Sequence, residues 1–479
     1  MANIHKKSVQ EELERLKSDF VRLSKDKALS PEITVLITSM FMLMELIFAI
    51  FLEKKTKKAK NNSSIPPSQS EKDDTSLSDK GSKGKGKKEN DKLAENCRTR
   101  ETVTISSVDT CSMCGEDMSG VSCYEHERRT KIDIVFEKVV KHVDAEIKTC
   151  ASCQSTSKGL FPDDMSGPLQ YGAGLKAFAI NLMICQMVAL NRVQKTIKTM
   201  IGQTISEATL LKYVLHVHRA LASWEEDAID QLLKSAIMHV DETSLRVDKQ
   251  NHWIHVYSSS DITLKRLHRR RGKEAIEHID IVPRFGGVII HDCWASYLSY
   301  DNCDHGLCGA HLLRELTFIV QASDYRWAAN LKALLKDACK TVARRKRKKL
   351  TVAEYATLQR RYRNMLTRGH SELPVIPPKP SGQRGKMAKS DAHNLWERLY
   401  KYEEAVLLFA KDSNVAFTNN RAERDLRMAK VKQKVSGCFR NVEYAHAYCR
   451  ISSYIQTMAN KGYNPLIAIQ MALAGNIDG

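Results

Sequence analysis

The chain has 479 residues and a formal net charge of +19. That length holds two to four domains, and the excess of Lys and Arg favours a polyanionic partner, of which nucleic acid is the commonest. The 13 cysteines are odd in number and Met1 to Glu14 is polar and charged, which argues against a disulfide framework and a secretory signal and leaves a reduced cytoplasm as the expected setting.

Near the front, Leu13, Leu16, Phe20 and Leu23 step by 3, 4 and 3, a coiled-coil spacing. Pro31 restarts a helix at its first turn. Ile33 to Leu52 is then an apolar run with one formal charge, Glu45, followed by lysines from Lys54 to Lys60. Such a run is long enough to span a bilayer with a cytoplasmic lysine flank, and an apolar oligomerisation helix fits it equally. Residues 1–60 are expected to form a helical segment. Residues 61–105, with NNSSIPPSQS from Asn61 and GSKGKGKK from Gly81, are expected to be a flexible basic linker.

Two Cys-x-x-Cys pairs follow, Cys111 with Cys114 and Cys150 with Cys153. Four thiolates suit one structural, tetrahedral Zn²⁺, so 106–160 is read as a zinc-binding module. The interval between the pairs is longer than usual. Its alternating Ile132, Ile134 and Phe136 suggest a strand, and Cys123 and His126 are substitute ligands. The alternative is four ordinary thiols.

Residues 165–233 read as a helical domain. Ile201 to Lys212 resembles a helix-turn-helix, with Gly202 in the turn, Ser206 capping the second helix, and Lys212 a candidate DNA contact. A plain helical hairpin is the bland alternative. From 234 to 322 strand and helix signals alternate: strands at Trp253 to Tyr257 and Ile262 to Leu264, a crossover helix at Lys273 to Ile279, and a short strand at Leu307 to Ala310 before a helix from His311. Residues 323–415 are helical and basic, with Arg344, Arg345, Lys346, Arg347, Lys348 and Lys349 as a phosphate track or a solvated helix face. Residues 416–479 close the chain with further helices.

Three acids stand out in this frame. Asp241 ends the apolar run Ala236 to Val240, and Asp292 ends Gly287 to His291. Short apolar runs ending in Asp read as buried strands with a carboxylate at the exposed end, where open sheets bind ligands. Glu423 sits in the basic, helix-prone stretch Asn419 to Arg427. Carboxylates are ligands for Mg²⁺ or Mn²⁺, and two such ions roughly 3.5–4 Å apart can clamp an in-line phosphoryl transfer. Singly, each acid is as readily a turn or surface residue. Glu315 competes for the third place but has apolar helix neighbours, Leu312, Leu313 and Leu316, whereas Glu423 is flanked by Asn420, Arg421 and Arg424, which suit a DNA-facing helix.

These blocks resemble the insertion sequence 66 family of transposases, a bacterial DDE group. The likeness rests on NNSSIPPSQS, the two Cys pairs, His239-Val240-Asp241-Glu242-Thr243, Ile289 to Trp294, Cys308 to Glu315, and above all Thr418-Asn419-Asn420-Arg421-Ala422-Glu423-Arg424. It implies a multidomain α+β chain with a ribonuclease H-like catalytic core, interrupted by a helical insertion. It also implies metal-dependent cleavage and transfer of a mobile element through its terminal inverted repeats. Asp241, Asp292 and Glu423 would then hold two ions, Asn420, Arg421 and Arg424 would grip the DNA backbone, and His291 and His311 would aid proton transfer or phosphate contact. Target DNA, a homo-oligomer and small accessory proteins of the element are the implied partners. The front of the chain is more apolar than the leucine heptads usual in the family, and the resemblance tips Ile33 to Leu52 from membrane span to packed helix. A zinc-containing repressor without catalysis would need no acidic triad, whereas a ribonuclease H-like nuclease would share it.

Overall fold

The computed structural model describes residues 102–134, 136–376 and 389–477, and positions 15, 16, 18, 20, 37 and 40 besides. Apart from those few positions, the expected coiled-coil step, apolar run and linker lie outside the described residues. The chain divides into Met1–Lys83 and Gly84–Gly479, and the described strands and helices beyond position 40 all belong to the second unit. Among the described residues no helix is long and apolar enough to cross a membrane.

Among the described residues of that unit, the first strands form a small antiparallel hairpin, β1 (Ile147–Thr149) with β2 (Thr156–Lys158). The strand expected from Ile132, Ile134 and Phe136 is not formed among the described residues. These side chains are 91%, 72% and 55% exposed, so their alternation has no second layer to bury one face, and without one it does not hold a strand.

Four helices come next: α1 (Ala173–Ile184), α2 (Leu190–Ile201), α3 (Glu207–Ala220) and α4 (Ala222–Leu233). Gly202 ends α2 in the left-handed conformation at φ 69°, which glycine adopts without steric cost. Ser206 caps α3, its hydroxyl accepting from the Thr209 N–H at 3.1 Å. In α4, Trp224, Ala228 and Leu232 recur at helical spacing and are buried.

The main sheet contains β3 (Ile237–Val247), β4 (Gln250–Ser258), β5 (Thr263–His268), β6 (Val288–His291) and β7 (Asp304–Leu307), in the order β5-β4-β3-β6-β7. β4 is antiparallel to β3 and β5, and β6 runs parallel to β3 and β7. β3 does not stop at Asp241 as its apolar run suggests. It continues to Val247, with Leu245 and Val247 buried and Ser244 and Arg246 exposed, because β4 pairs with it from His239 to Val247. The two-residue turn Asp248-Lys249, with φ of 46° and 61°, returns the chain into β4. Helix α5 (Lys273–Ile279) crosses from β5 towards β6.

The short strand expected at Leu307 to Ala310 lies instead at Asp304–Leu307, and α6 (Gly309–Ser323) begins two residues later. At Gly309 a Cβ would come within 2.2 Å of the Phe417 ring, and its N–H donates to the Phe417 carbonyl at 2.7 Å. Only glycine allows that approach. The helices α7 (Arg326–Arg344), α8 (Val352–Glu372), α9 (Asp391–Lys401) and α10 (Glu403–Lys411) gather with α6 and residues of β6 and β7 around a core that includes Trp327, Leu331, Tyr362 and Leu399. A second core joins the rest of the sheet to α1–α4 and to α11 (Asn420–Ser436), α12 (Val442–Asn460) and α13 (Pro465–Leu473). Each fully buried Leu or Ile in these cores contributes about 1.5–3 kcal/mol. Helix α11 packs across β3 and β4, with its first turn tied to the residue before Asp241 on the central strand.

Candidate active site

The parallel pairing of β3 with β6 runs from Ile237↔Val288 to His239↔Ile290. Asp241 lies two residues past His239 on β3, Asp292 directly follows the last residue of β6, and the charge of Asp292 acts on the Asp241 carboxyl. The Asp241 Oδ1 accepts from the Glu242 N–H at 2.8 Å and the Asp292 Oδ1 from the Trp294 N–H at 3.2 Å.

Glu423 enters from the first turn of α11. Its Oε1 lies 3.6 Å from His311 Nδ1 and 4.0 Å from Arg314 Nη2, both on α6. Burial pushes the Asp241 carboxyl up to about 8, reinforced by the carboxylates of Glu242, Asp292 and Glu423. The acids are therefore close enough to feel one another, and they crowd negative charge into one place. Glu423 Oε1 and His311 Nδ1 are also buried without a hydrogen-bond partner. Crowded carboxylates and an orphaned oxygen are the donor set a divalent cation fits. Cys308, His311 and Glu423 place one ligand atom each within 4.8 Å of one another. The Cys308 thiol is pushed up to about 11 by burial and accepts the Asn419 N–H at 3.1 Å, so it packs and caps as a neutral group.

Asn419 holds the site together, and sequence reasoning missed it. Its Nδ2 donates to the Val240 carbonyl at 2.8 Å, and its Oδ1 lies 3.0 Å from His239 Nδ1. It thus links α11 to the residue before Asp241, and through Cys308 to the start of α6. The pair Asn419-Asn420 carries a signal, but not which of the two is buried: Asn419 is 1% exposed and Asn420 lies in solvent.

The other expected residues are spread more widely. Glu315 takes a hydrogen bond from Arg398 Nη2 and ties α6 to α9. His291 is fully buried, sits 3.1 Å from His305 Nδ1 through its Nε2, and is pushed down to about 3, chiefly by burial. It stays neutral and structural. Arg421 turns inward to Asp425, at 3.2 Å, and to the Thr263 hydroxyl, while Arg424 is exposed. Lys212 is exposed on α3. The run expected as a helix face mostly lies past the helix. Arg344 is the last residue of α7, Arg345 pairs with Glu354, and Lys346 to Lys349 lie exposed beyond the helix end, where cations suit the dipole.

The two Cys pairs share one backbone design. The Cys111 N–H donates to the Glu116 carbonyl and the Cys111 carbonyl accepts from Gly115 N–H. Likewise, the Cys150 N–H donates to the Ser155 carbonyl and the Cys150 carbonyl accepts from Gln154 N–H. Gly115 and Gln154 both have positive φ, at 76° and 58°. The bridge Thr110↔Asp117 frames the first turn as Thr149↔Thr156 frames the second. Hydrogen bonds from Ser155 and from Cys150 bring the Cys153 thiol down to about 7. Among the described residues no three of these four thiols lie within 4.8 Å of one another.

The family model described as Transposase IS66 family matches residues 168–447, more than half of the chain. The chain belongs to this family. No curated protein matches it. Membership in the IS66 family implies transposition-related DNA cleavage, and so DNA as partner; transposases of the DDE group generally use divalent metal ions. The matched region begins after the two Cys turns and runs through the first turns of α12.

Proposed function

We propose that this transposase binds the ends of its mobile element and cleaves and transfers DNA strands at Asp241, Asp292 and Glu423. The observation that carries the reading is the meeting of three carboxylates from separate stretches of chain, one on β3, one just past the end of the parallel strand β6, and one on a helix tied to β3 by Asn419. Bound Mg²⁺ or Mn²⁺, two ions, would activate the attacking oxygen and stabilise the leaving one. The chain's own residues do the positioning. Asp241 presents its oxygens from the central strand β3 and Asp292 from the turn after β6, Glu423 closes the set from α11, and His311, its pKa lowered mainly by burial, faces the Glu423 oxygen. The sheet order, with β4 antiparallel beside a parallel β3-β6-β7, suits a ribonuclease H-like core. Helices α7–α10 then form the insertion, at 323–415, between the first part of the core and its last acid.

The reading gives DNA binding to Lys212 after the capped α2–α3 turn, to the cations from Arg344 to Lys349, of which all but the Glu354-paired Arg345 are exposed, and to Asn420 and Arg424 beside the acids. Arg421 is occupied inside the fold and is assigned to holding α11. The repeated Cys turns would hold one structural Zn²⁺, and residues 1–60 would serve self-association. A repressor has no use for converging acids.

The test uses full-length protein and duplexes carrying the element's ends in Mn²⁺. Asp241→Asn and Asp292→Asn should bind the ends as the unaltered protein does and lose cleavage by at least about 1000-fold. Glu423→Gln should match them, while Glu315→Gln stays active. Cleavage by Glu423→Gln, with a folded but inactive Glu315→Gln, reverses the third assignment; full cleavage by both Asp variants removes the site.

A further inference from the structure

Beside the acids lies a network that the proposed cleavage chemistry leaves unused. Glu242 is buried, with its side chain 1% exposed. Its Oε1 accepts two hydrogen bonds from Arg271, from Nε at 2.8 Å and Nη2 at 2.6 Å, and its Oε2 accepts the Tyr297 hydroxyl at 2.9 Å. The Arg271 guanidinium lies between two indole rings, 4.4 Å from the Trp294 ring centre and 5.1 Å from that of Trp253. Trp294 is the residue whose N–H holds Asp292, and Glu242 follows Asp241 in β3. Arg271 is therefore tied at once to β3, next to Asp241, and to the turn after β6 that holds Asp292.

Holding a guanidinium this firmly has a cost. Only the Glu242 end of the pair is buried, and an ion pair whose cation is part-exposed contributes little net stability, so stability gives little reason for the network. What it achieves is a cation whose side-chain entropy is already lost before anything binds. Two of its three nitrogens are used, Nη1 has no hydrogen-bond partner among the described residues, and the side chain is 41% exposed. A counter-ion for Glu242 would need only charge; a planar fork with one edge left open suits a phosphate oxygen.

We propose that Arg271 is a DNA-contacting residue of the active site, gripping a backbone phosphate that flanks the scissile one, with Glu242, Tyr297, Trp253 and Trp294 as its positioning residues. This rests on the transposase site proposed at the three acids. It assigns Glu242 a role other than metal ligand, since both its oxygens are already engaged. It also explains why the cation-rich chain keeps an arginine here rather than a lysine, whose ammonium cannot bond Glu242 twice and still present a free edge.

The experiment is a cycle between one side chain and one phosphate charge, using full-length protein and end duplexes with single methylphosphonate substitutions at each position flanking the cut. The unaltered protein should lose about tenfold in cleavage at one flanking position. Arg271→Gln should lose about tenfold on the unmodified duplex and nothing further on that modified one, because both changes remove the same contact. Losses that multiply at every position overturn the inference and leave Arg271 as a counter-ion. If Arg271→Gln does not fold, Arg271→Lys preserves the charge over Glu242 and the same cycle is read with it. An unaltered protein that cuts no end duplex in Mn²⁺ removes the site reading and this inference together, whereas cutting with multiplicative losses removes the inference alone.

Discussion

The side-chain amide of Asn419 donates to the carbonyl of Val240 at 2.8 Å, one residue before Asp241. This bond joins the helix bearing Glu423 to the strand bearing Asp241 across a long separation in sequence. Asn419→Ala would leave the buried Val240 carbonyl and His239 ring without their partner, at about 1–3 kcal/mol of stability. Cleavage should fall further than that loss explains, by about 100-fold at a temperature where the variant stays folded, because a small displacement of a positioned group costs that much. Urea unfolding and cleavage rate measured on the same preparation check it; a rate loss no larger than the unfolded fraction contradicts it.

The raised pKa of Asp241 gives a pH dependence with a definite sign. Its carboxyl titrates near 8 in the folded chain, against an ordinary value of 3.8. Between about pH 4 and pH 8 the folded chain holds a proton that the unfolded chain has released, so stability falls as pH rises through that window. In protein free of Mg²⁺ and Mn²⁺, the urea midpoint should drop from pH 5 to pH 8.5. Asp241→Asn should flatten that drop and be the more stable form at pH 8.5. Adding Mg²⁺ should restore the unaltered protein at high pH, since the metal takes the place of the proton. A midpoint independent of pH in the unaltered protein would show that the acids do not crowd as described.

The strands and helix that carry the candidate site were largely legible in the sequence, and the reasons for the rest are physical. The apolar runs before Asp241 and Asp292 mark buried strands because a strand between covered faces needs continuous hydrophobicity. β3 outlasts its run because pairing with β4 sustains it through Ser244 and Arg246, and such pairing is not local. The helix-turn at Gly202 and Ser206 was readable because caps are local chemistry. Asn419, Arg271 and Asp425 were not readable as anchors. Each acts through partners far away in sequence, and an Asn, Arg or Asp that will be buried looks the same as one that stays in solvent.

Asp425 and Arg424 are neighbours with opposite fates, and substitution should separate them. Asp425 is buried and accepts from the Ser258 and Thr263 hydroxyls at 2.7 and 2.9 Å, from Gln456 Nε2 at 2.5 Å and from Arg421 Nε at 3.2 Å. Asp425→Ala strands the cation and three donors inside, at about 3–5 kcal/mol. Arg421→Ala should also destabilise, with end binding unchanged in the folded fraction. Arg424→Ala should do the reverse, leaving the urea midpoint in place while weakening binding and lowering the salt slope by about 1. Weakened binding by a folded Arg421→Ala variant would return that arginine to the DNA surface.

The repeated Cys turns make the last prediction. Each turn carries two thiols on a backbone loop closed by the same pair of hydrogen bonds, and Ser155 and Cys150 already favour the thiolate at Cys153. Thiolate, not thiol, binds metal. No three of the four thiols lie within 4.8 Å of one another among the described residues, so a shared ion would have to gather them, and binding should therefore order the stretch between the pairs as well as the turns. Purified protein should carry about one zinc per chain. Cys111→Ser with Cys150→Ser should abolish it, and hydrogen exchange between residues 102 and 160 should quicken in that variant while the α1–α13 region exchanges as before. Zinc retained by the double variant would shift the ligands to Cys123 and His126, whose sulfur and ring nitrogen already lie 3.7 Å apart. Absence of zinc from the unaltered protein, with unchanged exchange on adding it, would leave the turns as a backbone motif without a metal.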